Sequence, residues 1–293
     1  MAHVTLKNGK SELTLSPDSG AAVLRFTHDG QEMFKSVEAG WKAARDPLKT
    51  SCFPLIPYSN RIRDGRFHFG GEDISLEFHE TDHGHALHGL GWVRPWTVTQ
   101  QSERDCVCSL NHTADIWPWA FHATQSLELS DGRLSMTVSI TNESSAGMPA
   151  GIGTHPYFPN KKNARLQFNA SGVWLSDEAA LPTIHAAIPE PWDFTQARKL
   201  KDVVVDNCFT GFSGQASIRW DNARYGMDIS ADEVLGFAVV YVPEEQDYFC
   251  FEPVSHMNDA VNFEGKTKAT GLRVLSPGET VSATTNFTVA DNT

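Results

Sequence analysis

The amino-acid sequence predicts an all-β fold, a large antiparallel β-sandwich in a single domain spanning residues 1–293. In the most regular segment, residues 134–141, apolar residues alternate with Ser and Thr, which is the pattern of a half-buried strand. The Asp131-Gly132 pair before it suits a tight hairpin, because both residue types tolerate positive φ. Helical periodicity is scarce: only residues 177–180 and 195–203 could supply a few turns, too little for a helical layer.

The same alternation predicts further strands along the chain. A second hairpin runs from residues 66–69 through Gly70-Gly71 to Ile74, Leu76 and Phe78. Other predicted strands lie at residues 4–6, 13–15, 166–168, 237–242 and 281–289. So many strands in one open sheet would leave a face unburied, so two curved sheets packed together are expected. The sequence has no repeat and no linker composition, which favours one domain.

Composition and charge argue against several classes of partner. The 24 basic and 36 acidic residues give a formal net charge of -12, which would repel nucleic acid and anionic lipid surfaces. The first residues are polar and lack the apolar core of a secretory signal, and no apolar run is long enough to cross a membrane. We therefore expect a cytoplasmic monomer or homodimer. The odd number of scattered cysteines fits reduced thiols; they are Cys52, Cys106, Cys108, Cys208 and Cys250.

Candidate functional residues crowd together with glycine, proline and aromatic residues in three distant segments. These are residues 53–65 followed by 83–92, residues 153–158, and residues 251–260, with a possible satellite at 206–209. Such mixtures are typical of loops that present side chains from a rigid scaffold. Glu252 is the sharpest case, because it terminates a strongly apolar strand, where burying a carboxylate without a partner or a task is costly. Taken singly, Arg61 and His88 could equally be a surface charge and a structural histidine.

If these segments converge on one pocket, their chemistry suits a carbohydrate. Aromatic faces stack on the C–H faces of a pyranose, while Arg, Asn, His and Asp bind its hydroxyl groups. Opening a cyclic hemiacetal requires a base for the anomeric hydroxyl and an acid for the ring oxygen. A carboxylate with a reference pKa of about 4.3 and a histidine near 6.5 can hold those opposite protonation states together. Neither a nucleophile nor a metal or other cofactor is needed.

Five ordered motifs carry a resemblance to a known family. They are Asn60-Arg61-Ile62 with Gly65, Leu87-His88-Gly89, His155-Pro156-Tyr157-Phe158, Asp206 in Asp206-Asn207-Cys208-Phe209, and Glu252-Pro253. In order and spacing the chain resembles the aldose 1-epimerase (galactose mutarotase) family over nearly its whole length. The resemblance implies a galactose mutarotase-like β-supersandwich with a sugar cleft across one concave sheet. It also implies an enzyme that interconverts the α and β anomers of a free aldose without a cofactor.

The resemblance also implies a role for each matched residue. Glu252 would be the general base at the anomeric hydroxyl, His155 the general acid at the ring oxygen, and His88 an assisting group beside that oxygen. The implied substrate-binding residues are Arg61, Asn60, Asp206 and Tyr157. The chain departs from the family pattern around the acid, with Thr154 in place of the usual Asn and Pro159-Asn160 in place of Asn-Leu. These departures leave the identity of the sugar open.

Three other functions fit part of the same residues. A non-catalytic sugar-binding protein could use the same fold and the same aromatic and polar side chains. An epimerase acting on a hexose 6-phosphate could use Arg61, Arg63, Arg66 and Arg94 as a phosphate clamp. A metal-dependent enzyme of the cupin kind is suggested by His79, His83, His85 and His88. Cupins also have a carboxylate ligand shortly after the histidine pair, however. Residues 86–93 contain no carboxylate, so no metal site is predicted.

Overall fold

Antiparallel strands make up nearly all of the regular structure in the computed structural model, which describes residues 3–38, 41, 47–76, 84–263 and 267–292. The strands form two large sheets, a four-stranded sheet and three two-stranded ribbons. The helical segments are short: Pro47–Lys49, Arg63–Gly65, Lys161–Asn163, Glu190–Trp192, Ala260–Asn262 and Thr267–Thr270. The predicted all-β class is therefore confirmed.

The nine-stranded sheet contains the hairpin that the sequence indicates most clearly. Its strands, in spatial order, are Thr97–Gln101, Asp105–His112, Phe121–Ser130, Arg133–Asn142, Thr280–Asp291, Tyr225–Ala231, Gln215–Trp220, Ala164–Phe168 and Arg198–Lys199. Gly132, with φ of 78°, forms the predicted turn between the third and fourth strands. Leu134 and Met136 are fully buried, whereas hydroxyl side chains such as Thr137 and Thr284 pair on the opposite face. One face of this sheet therefore packs on the core and the other is polar.

The eight-stranded sheet carries the candidate site. Its strands, in spatial order, are Pro182–Ala186, Gly172–Ser176, Val205–Thr210, Phe237–Val242, Tyr248–Val254, Gly153–Thr154 and Pro54–Leu55, with Tyr157–Pro159 also paired to Tyr248–Val254. Successive residues of a strand point to opposite faces. Phe249 and Phe251 thus face the main core, while Cys250 and Val254 belong to a second apolar cluster on the other side. The sheet is buried on both faces, which explains why Tyr248–Val254 is apolar almost throughout.

Aromatic side chains join the two large sheets across the main core. Phe168 of the nine-stranded sheet packs against Phe251 of the eight-stranded sheet, with ring centroids 5.0 Å apart. Phe287 and Phe158 make a similar contact at 6.5 Å. Each of these rings is almost completely buried, and truncating such a side chain to alanine typically costs about 3–5 kcal/mol. The sandwich is therefore held together by the face of the eight-stranded sheet that lies opposite the candidate site.

Smaller sheets border the two large ones. The four-stranded sheet consists of Val4–Asn8, Ser11–Ser16, Ala22–His28 and Gln31–Phe34. The ribbons are Met148–Ala150 with Arg273–Leu275, Arg61–Ile62 with Ala86–Leu87, and Arg66–Phe69 with Glu72–Ser75. The last ribbon is the predicted hairpin at Gly70-Gly71; its predicted continuation to Phe78 lies outside the described residues.

The prediction of two short helical segments is wrong. Residues 177–180 form a turn in which the Asp177 carboxylate accepts hydrogen bonds from the backbone N–H groups of Ala179 and Leu181. Residues 195–203 contain the short strand Arg198–Lys199 and turns. In both places side chain to backbone hydrogen bonds and sheet pairing compete successfully with a weak helical preference. None of the helices in the described parts of the chain has the length and apolar character needed to cross a membrane.

Candidate active site

Strand pairing brings His155 and Glu252 together. Gly153 pairs with Val254 and Tyr157 pairs with Cys250, so His155, midway between the two paired positions, lies opposite Glu252. The imidazole Nε2 is 3.4 Å from the carboxylate Oε1. The two residues are only 5% and 2% exposed, respectively. The two groups that the sequence names as acid and base are therefore in direct contact in a nearly water-free environment.

Aromatic rings fix the orientation of the His155 imidazole. The Phe53 ring stacks on the His155 ring with centroids 4.6 Å apart, and the Tyr157 ring stacks on it with centroids 4.7 Å apart. The His88 ring stands perpendicular to His155 at 5.0 Å. The His155 backbone N–H also donates to the carbonyl oxygen of Phe53 at 3.0 Å. Packing on several sides leaves the ring few alternative rotamers, so its edge stays directed at Glu252.

A reciprocal pair of backbone hydrogen bonds positions His88. The Asn60 N–H donates to His88 Nδ1 at 3.1 Å, and the His88 N–H donates to the Asn60 carbonyl at 2.9 Å. Because Nδ1 is an acceptor, the neutral ring carries its proton on Nε2. Both residues adopt left-handed φ values, 58° and 55°, which cost energy in non-glycine residues and mark a constrained site. The neighbouring Gly89 approaches the Ile56 carbonyl so closely that a Cβ would lie 2.2 Å from its oxygen.

Arg61 and Asp206 form a polar edge beside the acid–base pair. Arg61 Nη1 lies 3.8 Å from Asp206 Oδ2, and their side chains are 16% and 32% exposed. The Asn60 side-chain oxygen accepts from the same guanidinium at 3.2 Å. Asp206 stands on the strand Val205–Thr210, two strands from Glu252 in the same sheet. All seven residues predicted for the site therefore lie in one connected region, with the catalytic candidates deep and the charged edge nearer to solvent.

Burial governs the ionisation of the acid–base pair. It raises the pKa of Glu252 well above the usual range, and the Asp206 carboxylate raises it further, while Arg61 opposes the shift. Burial lowers the pKa of His155 to about 3, and the Arg61 charge lowers it as well. Burial, followed by the charges of His155 and Arg61, also lowers the pKa of His88 well below its ordinary value. Both shifts favour the uncharged forms of the two groups, a protonated carboxyl and a neutral imidazole.

A proton on the Glu252 carboxyl can be transferred to His155 within the pair. Moving it from Glu252 to Nε2 of His155 creates a carboxylate and an imidazolium without exchange with solvent. The charged arrangement costs desolvation energy because both groups are buried. A ligand that donates a hydrogen bond to the carboxylate and accepts one from the imidazolium would stabilise it. Hydroxyl and ether oxygens on one carbon, as in a cyclic hemiacetal, meet both requirements within the short separation of these two groups.

Among the described residues, the remaining side chains considered for a phosphate clamp or a metal site do not form one cluster. Arg94 pairs with Asp115 at 2.9 Å, whereas Arg63 and Arg66 line an open cavity of about 760 Å³ together with Asp259. His85 is buried, and its Nδ1 accepts from the Asp64 N–H at 3.0 Å, a structural role. His79 and His83 lie outside the described residues. Within the described chain, one group of potential metal ligands stands out: His155, Cys250 and Glu252, whose donor atoms lie within 4.8 Å of one another.

Two residues beside the acid–base pair, Phe53 and Cys250, were not singled out from the sequence. Phe53 belongs to the first polar and aromatic segment, but its stacking on His155 depends on pairing between Pro54–Leu55 and Gly153–Thr154. Cys250 precedes Glu252 by two residues, and that spacing on a strand was a usable signal that the thiol shares a face with the carboxylate.

Comparison with solved structures defines the class of fold. The structure is similar to that of a candidate aldose 1-epimerase from Escherichia coli K12, with 28% identity, a TM-score of 0.89 and coverage of 99% of both chains. It is similar in fold to a galactose mutarotase-like protein from Clostridium acetobutylicum, with 19% identity, a TM-score of 0.89, and coverage of 99% of this chain and 95% of the other. The protein therefore has a galactose mutarotase-like fold.

Sequence comparison then assigns the family. The aldose 1-epimerase family model matches residues 2–288, and the chain belongs to the aldose 1-epimerase family. The uncharacterized protein YphB of Escherichia coli K12 is 29% identical over 291 residues, which cover 97% of each chain. Family and fold together support a carbohydrate epimerase function, and the resemblance seen in the sequence is confirmed.

Proposed function

We propose that this protein is an aldose 1-epimerase that interconverts the α and β anomers of a free aldose. The observation that carries the proposal is the 3.4 Å contact between His155 Nε2 and Glu252 Oε1 in a buried, aromatic-lined site. The two oxygens that exchange protons in ring opening are bonded to the same anomeric carbon, so their acid and base must be close neighbours. A non-catalytic sugar-binding site would not require an uncompensated buried carboxyl group beside an imidazole.

The reaction uses the charged arrangement of the pair, which the bound sugar would stabilise. Glu252, as carboxylate, removes the proton from the anomeric hydroxyl, while His155, as imidazolium, protonates the ring oxygen and the C–O bond opens. Rotation about the C1–C2 bond then presents the other face of the aldehyde. The same groups return the two protons in the reverse direction, and the ring closes as the opposite anomer. His88 assists by donating from Nε2 near the ring oxygen, and its Nδ1 is already occupied by the Asn60 N–H.

Substrate binding is assigned to the more exposed edge of the site. Arg61 and Asp206 supply a donor and an acceptor for sugar hydroxyls, and Asn60 holds the guanidinium through its side-chain oxygen. Tyr157, stacked on His155, lines the acid side. We also place the protein in the cytoplasm, since all five cysteines, each within the described residues, are free and buried.

Mutarotation of freshly dissolved aldoses, followed by polarimetry, tests the proposal. Glu252→Gln and His155→Asn remove one proton-transfer group each while keeping the side-chain size similar, and each should lower the rate by about 10²–10⁴-fold. Glu128→Gln and His68→Asn make the same chemical changes at exposed positions and should retain the full rate. Unchanged turnover in folded Glu252→Gln or His155→Asn protein would remove that residue from the mechanism.

The class of substrate can be tested separately from the chemistry. A hexose that binds the native state should raise the midpoint of thermal unfolding by mass action, and its 6-phosphate should not exceed it if the free sugar is the substrate. Stronger protection by the 6-phosphate, together with faster turnover of that compound, would instead assign a sugar phosphate epimerase.

A further inference from the structure

Three different donor groups meet on one face of the eight-stranded sheet. Cys250 and Glu252 are two residues apart on the strand Tyr248–Val254, so both side chains project from the same face. His155 lies opposite this strand, and donor atoms of the three residues are all within 4.8 Å of one another. The Cys250 thiol has no role in the proton transfers proposed for the sugar. Its position beside both catalytic groups therefore calls for a separate explanation.

The donor groups have unused capacity for a ligand. Among the residues that the structure describes, Glu252 Oε2 has no hydrogen-bond partner, and this atom is inaccessible to solvent. Glu252 and His155 are more than nine-tenths buried. A buried carboxylate oxygen without a donor is costly in an apolar environment, and coordination of a cation would satisfy it.

The separation of the imidazole and the carboxylate suits a tetrahedral metal centre. Zn²⁺ binds imidazole nitrogen and carboxylate oxygen at about 2.0–2.2 Å, so two such atoms on a tetrahedral ion lie about 3.4 Å apart. This is the separation of His155 Nε2 and Glu252 Oε1. A thiolate is a third ligand that Zn²⁺ favours, and it leaves one position open for water. Mg²⁺ is a poor candidate, because it demands six oxygen ligands in octahedral geometry.

We propose that His155, Cys250 and Glu252 form a binding site for a borderline-soft divalent cation such as Zn²⁺, and that the bound ion reversibly inhibits the enzyme. Coordination through Nε2 and the carboxylate occupies the atoms that the sugar needs for proton transfer. Binding involves no electron transfer. The thiol loses its proton to become a ligand, the acid–base pair loses the proton it holds, and both protons pass to solvent.

Cobalt absorption tests the site without reference to catalysis. Co²⁺ added to the purified protein should produce the near-ultraviolet charge-transfer band of a thiolate ligand. Cys250→Ser and Cys250→Ala should abolish the band. Cys208→Ser is the matched control, because Cys208 is equally buried in the same apolar cluster but is not one of the three ligands, and it should retain the band. A band that survives in folded Cys250→Ser protein, or no band in the wild type, would overturn the proposal.

Inhibition by Zn²⁺ tests the consequence and rests on the proposed mutarotation activity. In a buffer that does not chelate metals, Zn²⁺ should inhibit mutarotation by the wild type, Mg²⁺ should not, and a chelator should restore the rate. Cys250→Ser should keep its activity and require at least about 10-fold more Zn²⁺ for half-inhibition, which corresponds to the loss of one ligand. Equal sensitivity of Cys250→Ser and wild type would refute the site. A cobalt band in a protein without mutarotation would retain the site and refute the proposed function.

Discussion

The free energy of unfolding should fall at acidic pH because His256 is buried in its neutral form. His256 is 2% exposed; its Nδ1–H donates to the Met257 carbonyl at 2.7 Å, and its Nε2 accepts from the Ser59 N–H at 3.2 Å. A proton on Nε2 would turn this acceptor into a second donor facing Ser59. Burial accordingly lowers the pKa of His256 from 6.5 to about 4.

The sign and size of the effect follow from these two values. Below pH 6.5 the unfolded chain binds a proton at His256 and the folded chain does not, so the free energy of unfolding falls as the pH falls. At about 1.36 kcal/mol per pH unit, this residue alone removes about 2 kcal/mol between pH 8 and pH 5. The loss reaches its limit of about 3.4 kcal/mol once the pH is below the folded pKa.

Urea unfolding of wild type and His256→Gln across pH 8 to pH 5 isolates this contribution. The variant cannot titrate at this position, so its stability should fall less steeply, and the difference between the two proteins should shrink by about 2 kcal/mol at pH 5. His88 and His155 also have lowered pKa values and contribute to both curves alike. Parallel curves for the two proteins would show that His256 is not held neutral in the folded state.

Two further substitutions test the packing around the site. Gly151→Ala would place a Cβ 1.9 Å from His256 Cδ2 and should destabilise the protein by about 1–3 kcal/mol in urea unfolding. Gly147→Ala, whose Cβ would meet only Val274 Cγ1 at 3.2 Å, should cost less, and an equal loss in both would contradict the packing. Phe53→Leu removes a ring that stacks on His155 and should slow mutarotation by about 10–100-fold in polarimetry, beyond any loss of stability. Phe121→Leu, equally buried but in the nine-stranded sheet, should keep the rate of the folded protein; equal slowing would refute an orienting role for Phe53.

Local sequence pattern predicted the longer, regularly alternating strands but neither the many short strands nor the arrangement of the strands in sheets. The predicted strand at 281–289 lies within Thr280–Asp291, and the predicted strand Phe237–Val242 has the same bounds in the structure. The pairing of Arg133–Asn142 with Thr280–Asp291 joins segments far apart in the chain. Alternation reports only which face of a strand is apolar, so it cannot specify that partner. The single domain spanning residues 1–293 stays a prediction.

The chemistry of the site was easier to predict than its surroundings. His155 and Glu252 stood out because a proline and an apolar strand place a polar group where water is scarce, and the structure puts them in contact. Their catalytic roles stay predictions until the variants are assayed. The position of Phe53 and the proximity of Cys250 to His155 depend on register between distant strands, which the sequence does not encode locally.

Insertions and deletions should be tolerated very unequally around the acid and the base. His155 faces Glu252 only because the segment between Gly153 and Tyr157 keeps the same length as the facing strand. One added or missing residue there would turn the imidazole away from the carboxylate, since neighbouring side chains point to opposite faces. Added or deleted residues should therefore leave the acid–base contact intact only in loops outside this short stretch.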